Sequence, residues 1–219
     1  MGILSALLDL IYPPRCVFCR KLLTEGERDI CAGCAATLPV TEGKRAEQTG
    51  EFFEKCVSPL YYMGDVRESF CRYKFQGAEG YAGPYARWMA DCVRDHVEGG
   101  FDLITWAPLS RKHLRKRGYD QAKLLACRMA KELGREAAPL LRKPRDVKTQ
   151  SGLGGAEERK ANVLGAYEPL SGAEVAGKRV LLVDDIITTG ATLSECARVL
   201  RTAGAASVVC VTLARNQRE

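Results

Sequence analysis

No stretch of the 219-residue sequence is apolar for long enough to cross a bilayer. The longest candidate, Ile3–Ile11, has no basic segment before it and no small-residue cleavage site after it, so we expect no secretory signal. Its apolar residues recur at helical spacing, which predicts a short amphipathic helix that ends at Pro13 and Pro14. Such a helix can pack on the body of the protein, on a partner or on a membrane surface. We therefore expect a cytoplasmic protein, with the inner face of the membrane as the alternative location.

Histidine is also scarce. The two histidines, His96 and His113, form no cluster with other ligand-type residues in the sequence. We find no internal repeat and no low-complexity tract, which excludes a solenoid or a fibrous chain. Cysteine, in contrast, is abundant with ten residues. In a reducing compartment, paired cysteines are better candidates for metal ligands than for disulfides.

Four of these cysteines form two Cys-x-x-Cys pairs. Cys16 and Cys19 are followed, after eleven residues, by Cys31 and Cys34. Each pair can bring two thiolates to one metal, and two pairs complete a closed tetrahedral site of the structural type. The spacing predicts structural Zn²⁺ in a segment too small to fold on a hydrophobic core alone. A redox pair or a chance spacing is the alternative.

Positive charge is concentrated in one part of the chain. The net charge is +6, yet the segment from Arg111 to Lys148 holds thirteen Lys or Arg and four Asp or Glu. Such a block suits a polyanion, either a phosphorylated small molecule or nucleic acid. A solvated basic face of a helix would give the same composition.

The domain organisation follows from the hydrophobic pattern. We expect an N-terminal unit over 1–40, with the amphipathic helix and the cysteine pairs, then a polar linker at Thr41–Glu51 and a main domain over 52–219. Within the main domain, strands alternate with helices, which favours an α/β fold with a mostly parallel sheet flanked by helices. The predicted strands are Val57–Met63, Leu103–Trp106, Val163–Tyr167, Arg179–Val183 and Ser207–Leu213; the predicted helices are Val66–Phe75, Tyr81–Val97, Asp120–Leu133 and Thr192–Ala203.

The most specific motif follows the strand Arg179–Val183. Two adjacent carboxylates, Asp184 and Asp185, come first and can accept hydrogen bonds from a diol at the carboxyl end of the sheet. A loop then runs into a helix, where free backbone N–H groups, threonine hydroxyls and a glycine suit a phosphate. That loop is Thr188, Thr189, Gly190, Ala191 and Thr192. Simple capping of a turn and a helix is the alternative.

This motif resembles the phosphoribosyl-pyrophosphate (PRPP) loop of type I phosphoribosyltransferases. The resemblance implies that Asp184 and Asp185 hold the ribose hydroxyls and that the loop from Thr188 to Thr192 holds the 5-phosphate. It also implies Mg²⁺ between the pyrophosphate and ribose oxygens.

The segment Pro108–Gln121 is dense in cations, and we interpret it as a loop after a strand. Ser110, Arg111 and Lys112 are candidate phosphate ligands, and Arg111 and Arg115 join the two aspartates as candidate catalytic residues because a departing pyrophosphate needs positive charge. Not all of these cations can face one small site. Arg115, Lys116 and Arg117 are therefore candidates for nucleic-acid contacts.

Two longer segments resemble signatures of the ComF family of competence-associated proteins. They are Arg72–Gly77 and Ala107–Ala126, and the downstream residues Gln150, Arg159, Asn162 and Val163 fit as well. Asp120 stands where the family signature has Asn, which removes an amide donor. The family pattern also includes an N-terminal zinc ribbon.

The ComF resemblance implies a role in natural transformation, in which single-stranded DNA enters the cytoplasm beside a helicase-like partner. PRPP or a terminal phosphate of DNA would occupy the phosphate loop, and Tyr73 and Tyr119 are candidate exposed rings for stacking on bases. An active phosphoribosyltransferase with an unknown acceptor, and a scaffold with a vestigial pocket, are the alternatives. The loop Arg142–Ala161 is expected to be either a lid over the site or a plain surface loop.

Overall fold

A computed structural model describes residues 13–144 and 163–217. The strands in these ranges are β1 (Glu47–Gln48), β2 (Cys56–Val57), β3 (Leu60–Tyr61), β4 (Leu103–Trp106), β5 (Leu141–Arg142), β6 (Glu168–Pro169), β7 (Arg179–Ile187) and β8 (Ser207–Arg215). The α-helices are α1 (Ala32–Thr37), α2 (Gly64–Phe75), α3 (Ala82–His96), α4 (Arg111–Arg117), α5 (Gln121–Glu132) and α6 (Ala191–Thr202). No helix of this described part is both long and apolar enough to cross a membrane.

The main sheet has the strand order β1-β2-β8-β7-β4, and β3 pairs with the far end of β8. β1 runs antiparallel to β2, while the pairings that involve β8 or β7 are parallel. β7 and β8 form the centre, with Val183 in register with Val211. Both strands are buried over most of their length because helices cover both faces of the sheet.

The side chains of β7 alternate between two apolar cores. Leu181 and Val183 belong to the core formed with α2, α3 and α5, whereas Val180 and Leu182 belong to the core formed with α6. This alternation follows the two-residue period of a strand. The result is the predicted α/β sheet with helices on both faces.

Several predicted boundaries differ from the structure. The predicted strand Val57–Met63 is divided into β2 and β3 by Ser58 and Pro59, because a proline has no N–H to donate to a sheet ladder. The predicted strand Val163–Tyr167 is wrong: a turn at Gly165, with φ +72°, precedes β6, which pairs with β5 instead.

The segment Pro108–Gln121, interpreted as a loop, contains the helix α4. Its N-cap is Ser110, whose side chain accepts from the His113 N–H, and its C-cap is Gly118 at φ 84°. Gly118 adopts the left-handed conformation that ends a helix at low cost. The cationic side chains in this segment are therefore held on a helix.

The polar segment Thr41–Glu51, predicted as a linker, is part of the folded edge of the sheet. Its strand β1 pairs with β2, and Gln48 within it is buried. The Arg215 guanidinium donates to the carbonyls of Arg45 and Glu47, which fixes the segment to the end of β8. The predicted helix at Gly2–Ile11 lies outside the described residues, as do Gln150, Arg159, Asn162 and most of the predicted lid.

The cysteine-rich segment shares the core of the main sheet. Phe18 is 1% exposed and packs against Tyr85 and Trp88 of α3, with ring centroids 6.0 and 6.2 Å apart. From α2, the Ser69 hydroxyl donates to the Val17 carbonyl and the Arg72 guanidinium donates to the Phe18 carbonyl. The segment is thus anchored to α2 and α3 by both apolar packing and hydrogen bonds.

Candidate functional site

The two adjacent aspartates of the motif lie towards the carboxyl end of β7. Asp184 Oδ1 accepts from the backbone N–H of Asp185 at 2.8 Å, and Asp185 Oδ1 accepts from the N–H of Ile186 at 2.6 Å. These contacts orient each carboxylate and leave its second oxygen for another partner. Both residues are half-buried at the sheet edge where open α/β sheets bind ligands.

Burial raises the pKa of Asp184 from its usual 3.8 to about 8, and the neighbouring charge of Asp185 adds to this rise. Burial therefore favours the protonated form of Asp184. A cation that enters the site would favour the ionised form.

Lys74 approaches Asp184 and Asp185, which we call the acid pair, from the last turn of α2. Its Nζ lies 3.1 Å from Asp185 Oδ2, with both side chains mostly buried. The sequence does not indicate that Lys74 belongs to the site, because 111 positions along the chain separate Lys74 from Asp185. The only signal was its place inside the segment Arg72–Gly77, which resembles a ComF signature.

The phosphate loop joins β7 to α6. Gly190 is the N-cap of α6, and its φ of 81° lies in the left-handed region that favours glycine. Thr189 Oγ1 accepts from the Ala191 N–H at 3.4 Å, and Thr188 is exposed. The loop therefore presents hydroxyls and the first N–H groups of a twelve-residue helix at the same edge as the aspartates.

The adjacent strand β4 brings the second predicted motif beside the first. Trp106 is in register with Val183, and the Ala107 N–H donates to the Val183 carbonyl at 2.9 Å. Ser110 follows, is 3% exposed and caps α4; its hydroxyl oxygen lies 2.9 Å from His113 Nδ1. The carboxyl ends of β4 and β7 thus place the acid pair and the basic helix next to each other.

Asp120 closes the turn between α4 and α5. Its carboxylate accepts from the Leu109 N–H at 3.0 Å and from the Lys123 N–H at 3.1 Å, so it caps α5 and holds the start of the basic segment. Burial raises the pKa of Asp120, and the charge of Asp185 raises it further. Asp120 is therefore close enough to the acid pair to interact with it electrostatically.

The cations of α4 are divided between two surroundings. Arg111, Lys112, Arg115 and Lys116 line a groove of about 600 Å³, which we call the basic groove; Ser110 and Pro144 complete its described lining, in which no residue is acidic. Arg117 instead donates to Gln121 Oε1 at 2.8 Å, and its guanidinium lies 5.5 Å from the centre of the Phe75 ring. The structure thus groups Arg115 and Lys116 with the phosphate candidates and separates Arg117 from them.

The expectation that Tyr73 is exposed is wrong. Its side chain is fully buried, and its hydroxyl donates to the Gln121 carbonyl at 3.0 Å. Tyr119 is half-buried and packs edge-on against Tyr73, with centroids 5.7 Å apart. Tyr73 therefore stabilises the junction of α2 and α5 and offers no ring to a base.

The four paired cysteines converge on one point. Their Sγ atoms all lie within 4.8 Å of one another, and Cys19 Sγ is 3.6 Å from Cys31 Sγ. A tetrahedral zinc with bonds of about 2.3 Å separates its sulfur ligands by roughly 3.8 Å, so the arrangement fits the metal. It is the one such cluster of Cys, His and acidic residues in the part of the chain that the structure describes.

Two protein-family models match this chain, one in its N-terminal part and one in its C-terminal part. Residues 7–72 match the family model for the double zinc ribbon domain, and residues 123–219 match that for the phosphoribosyl transferase domain. The cysteine cluster is therefore a structural zinc site, and the α/β unit has the type I phosphoribosyltransferase fold.

Two curated relatives span nearly the whole chain. Competence protein F from Haemophilus influenzae is 28% identical over 222 residues, which cover 92% of this chain and 96% of that protein. DNA utilization protein YhgH from Salmonella typhi is 37% identical over 229 residues, which cover 94% of this chain and 99% of that protein.

Among solved structures, the glutamine PRPP amidotransferase from B. subtilis superposes with a TM-score of 0.43 at 22% identity, over 64% of this chain and 30% of that longer enzyme. The curated relatives and the two domain matches agree with each other along the sequence. The chain therefore belongs to the ComF family, with competence protein F and the YhgH DNA utilization proteins among its relatives.

Proposed function

We propose that this protein handles single-stranded DNA during natural competence and that its phosphoribosyltransferase domain binds PRPP with Mg²⁺. The observation that supports the proposal is that the basic groove and the acid pair follow the carboxyl ends of two paired parallel strands, β4 and β7. Competence and DNA utilization are the roles in the names of the relatives that match over more than nine-tenths of this chain. A cytoplasmic location and a helicase partner are parts of the same proposal and rest on the family alone.

In the PRPP complex, Asp184 and Asp185 would accept hydrogen bonds from the ribose hydroxyls. The loop residues Thr188, Thr189, Gly190, Ala191 and Thr192 would hold the 5-phosphate, and Ser110, Arg111 and Lys112 would bind the pyrophosphate. Mg²⁺ would neutralise pyrophosphate charge as an oxygen-liganded cation. The positive charge of Lys74 offsets one negative charge of the acid pair, so the pair repels an anionic ligand less.

Turnover of PRPP is the second candidate function. It is favoured by the same cations, because Arg111 and Arg115 can stabilise a departing pyrophosphate while Asp184 and Asp185 orient the ribose. Release of pyrophosphate from PRPP, measured with and without bases, amines or single-stranded DNA, separates a bound ligand from a substrate. Release above the uncatalysed rate that disappears in Arg111→Ala would establish catalysis.

Two binding assays test the main proposal. PRPP with Mg²⁺ should raise the melting temperature of the wild-type protein and not that of Asp185→Asn, because a ligand that binds only the folded state stabilises it. Single-stranded DNA should bind with an affinity that falls steeply as salt rises. Absence of both effects in the zinc-loaded full chain would reject the proposal.

A further inference from the structure

One cavity among the described residues is separate from the phosphate loop. It has a volume of about 790 Å³ and lies beyond the edge strand β4, between α4, α5 and the extension that begins with β5. None of the residues from Asp184 to Thr192 lines it. It is therefore a second concave site at the same edge of the sheet.

The lining of this cavity suits a flat ring with a polar edge. Trp106 and Tyr119 contribute aromatic surface, and Leu109, Leu114 and Leu124 contribute aliphatic surface. Polar groups at its wall include Asp120, Glu79, Lys123 and Arg142, which can donate to or accept from a nucleobase edge. The volume lies in the range of cavities that enclose small organic ligands, roughly 300–1,000 Å³.

The cavity adjoins the basic groove. Arg111 and Pro144 line both, so the two depressions meet at the first turn of α4. Besides Arg111, the groove is lined by the cations Lys112, Arg115 and Lys116, and its described lining contains no acidic residue. A partly aromatic cavity next to a cationic groove is an arrangement with which proteins hold a base and its neighbouring phosphates.

We infer that the cavity binds one nucleobase of single-stranded DNA while Arg115 and Lys116 of the basic groove bind the adjacent phosphates. This inference rests on the proposed DNA function and adds to it a defined base site. The Lys123 Nζ lies 5.9 Å from the centre of the Trp106 ring, so a cation already covers that ring. An entering base would replace or join Lys123 on the aromatic wall.

The test compares a thymidine oligonucleotide with an abasic oligonucleotide of the same length, by fluorescence anisotropy on the zinc-loaded full chain. The phosphates are the same in both, so a difference in affinity measures the base site. We expect the thymidine strand to bind at least about fivefold more tightly. Equal binding of the two strands would overturn the base site and leave the DNA function standing, whereas binding of neither would remove both.

A bulky side chain placed in the cavity tests whether the base binds there. Cys127 is half-buried and lines the cavity from α5, so Cys127→Phe should bring thymidine-strand affinity down to the abasic level and leave abasic binding unchanged. Cys71 is also half-buried but lines a different cleft, beside Arg67 and Arg72, so Cys71→Phe is the matched control and should keep the preference. A preference that survives Cys127→Phe would place the base elsewhere.

A second measurement does not depend on the folding of Cys127→Phe. Of the two tryptophans, Trp106 lines the cavity and Trp88 packs on Phe18, so Trp88→Phe leaves one reporter in the site. The thymidine strand should quench this fluorescence, and the abasic strand should not. Thymidine monophosphate that quenches as strongly as the strand, at equal concentration, would assign the cavity to a free nucleotide and overturn the DNA assignment. Absence of quenching by any of the three would overturn the base site itself.

Discussion

Lys74 and Asp185 form an ion pair, with Nζ 3.1 Å from Oδ2, that joins the end of α2 to the end of β7. The pair is mostly shielded from water, so it is screened less than a surface ion pair. It reduces the net charge beside the phosphate loop.

Lys74→Ala should weaken PRPP binding about tenfold, because it leaves the acid pair with an uncompensated negative charge beside an anionic ligand. Lys74→Arg should keep most of the affinity. Titration calorimetry with PRPP and Mg²⁺ measures both. The exposed Lys44 is the control, and Lys44→Ala should bind as the wild type does. Wild-type affinity in Lys74→Ala would show that the ion pair is only structural.

Asp184 gives a pH dependence of stability with a definite sign. Its pKa is about 8 in the folded state and near the usual 3.8 in the unfolded state. Between these values the folded state binds the extra proton, so the contribution of Asp184 to stability falls as pH rises from about 4 to 8. Asp184→Asn should remove this part of the decline. Urea denaturation of both proteins at pH 5 and pH 8 measures it, and an equal loss in both would contradict the assignment.

Removal of zinc should affect the phosphoribosyltransferase domain as well as the ribbon. Cys31→Ser should lose the metal and lower the melting temperature by more than about 5 °C, because the ribbon shares a core with α3 through Phe18. Elemental analysis and calorimetry measure the two effects. Cys71→Ser, outside the cluster, should keep one zinc per chain. A zinc-free variant with an unchanged melting temperature would disprove the shared core.

The cations of α4 should differ in their effect on DNA binding. The double variant Arg115→Ala/Lys116→Ala should make the negative slope of log affinity against log salt shallower by about 1.4, since each phosphate contact on a single strand contributes roughly −0.7 to it. Arg117 is held by Gln121 and Phe75, so Arg117→Ala should change the slope less. Anisotropy titrations at several salt concentrations measure both. A larger change for Arg117→Ala than for the double variant would reverse this division.

The sequence predicted those parts of the fold that depend on local patterns. The near-continuous apolar run of β7, the amphipathic α5 and the Cys-x-x-Cys pairs have strong signals of their own, and the structure has each of them. The helix α4 was missed because its seven residues are mostly Arg and Lys with no apolar period. Its start and stop signals, Ser110 and Gly118, were available.

Other features depend on contacts between distant parts of the chain. Lys74 could not be placed beside Asp185 without the packing of α2 on the sheet. The prediction that Tyr73 is exposed is wrong because its spacing from Val66 and Phe70 puts all three on one face of α2, and that face is buried. The cavity beyond β4 combines residues as far apart in the chain as Glu79 and Pro144, and no single sequence motif predicts it.

The helix α2 holds the zinc segment with Ser69 and Arg72, and within the next turn it holds the acid pair with Lys74. A rise of 1.5 Å per residue puts these attachments within about 8 Å along the axis. If the zinc ribbon of another family member replaced this one, its backbone carbonyls would not match the hydrogen-bond donors of this α2. We expect functional chimaeras only when the junction lies after Phe75, so that ribbon and helix are inherited together.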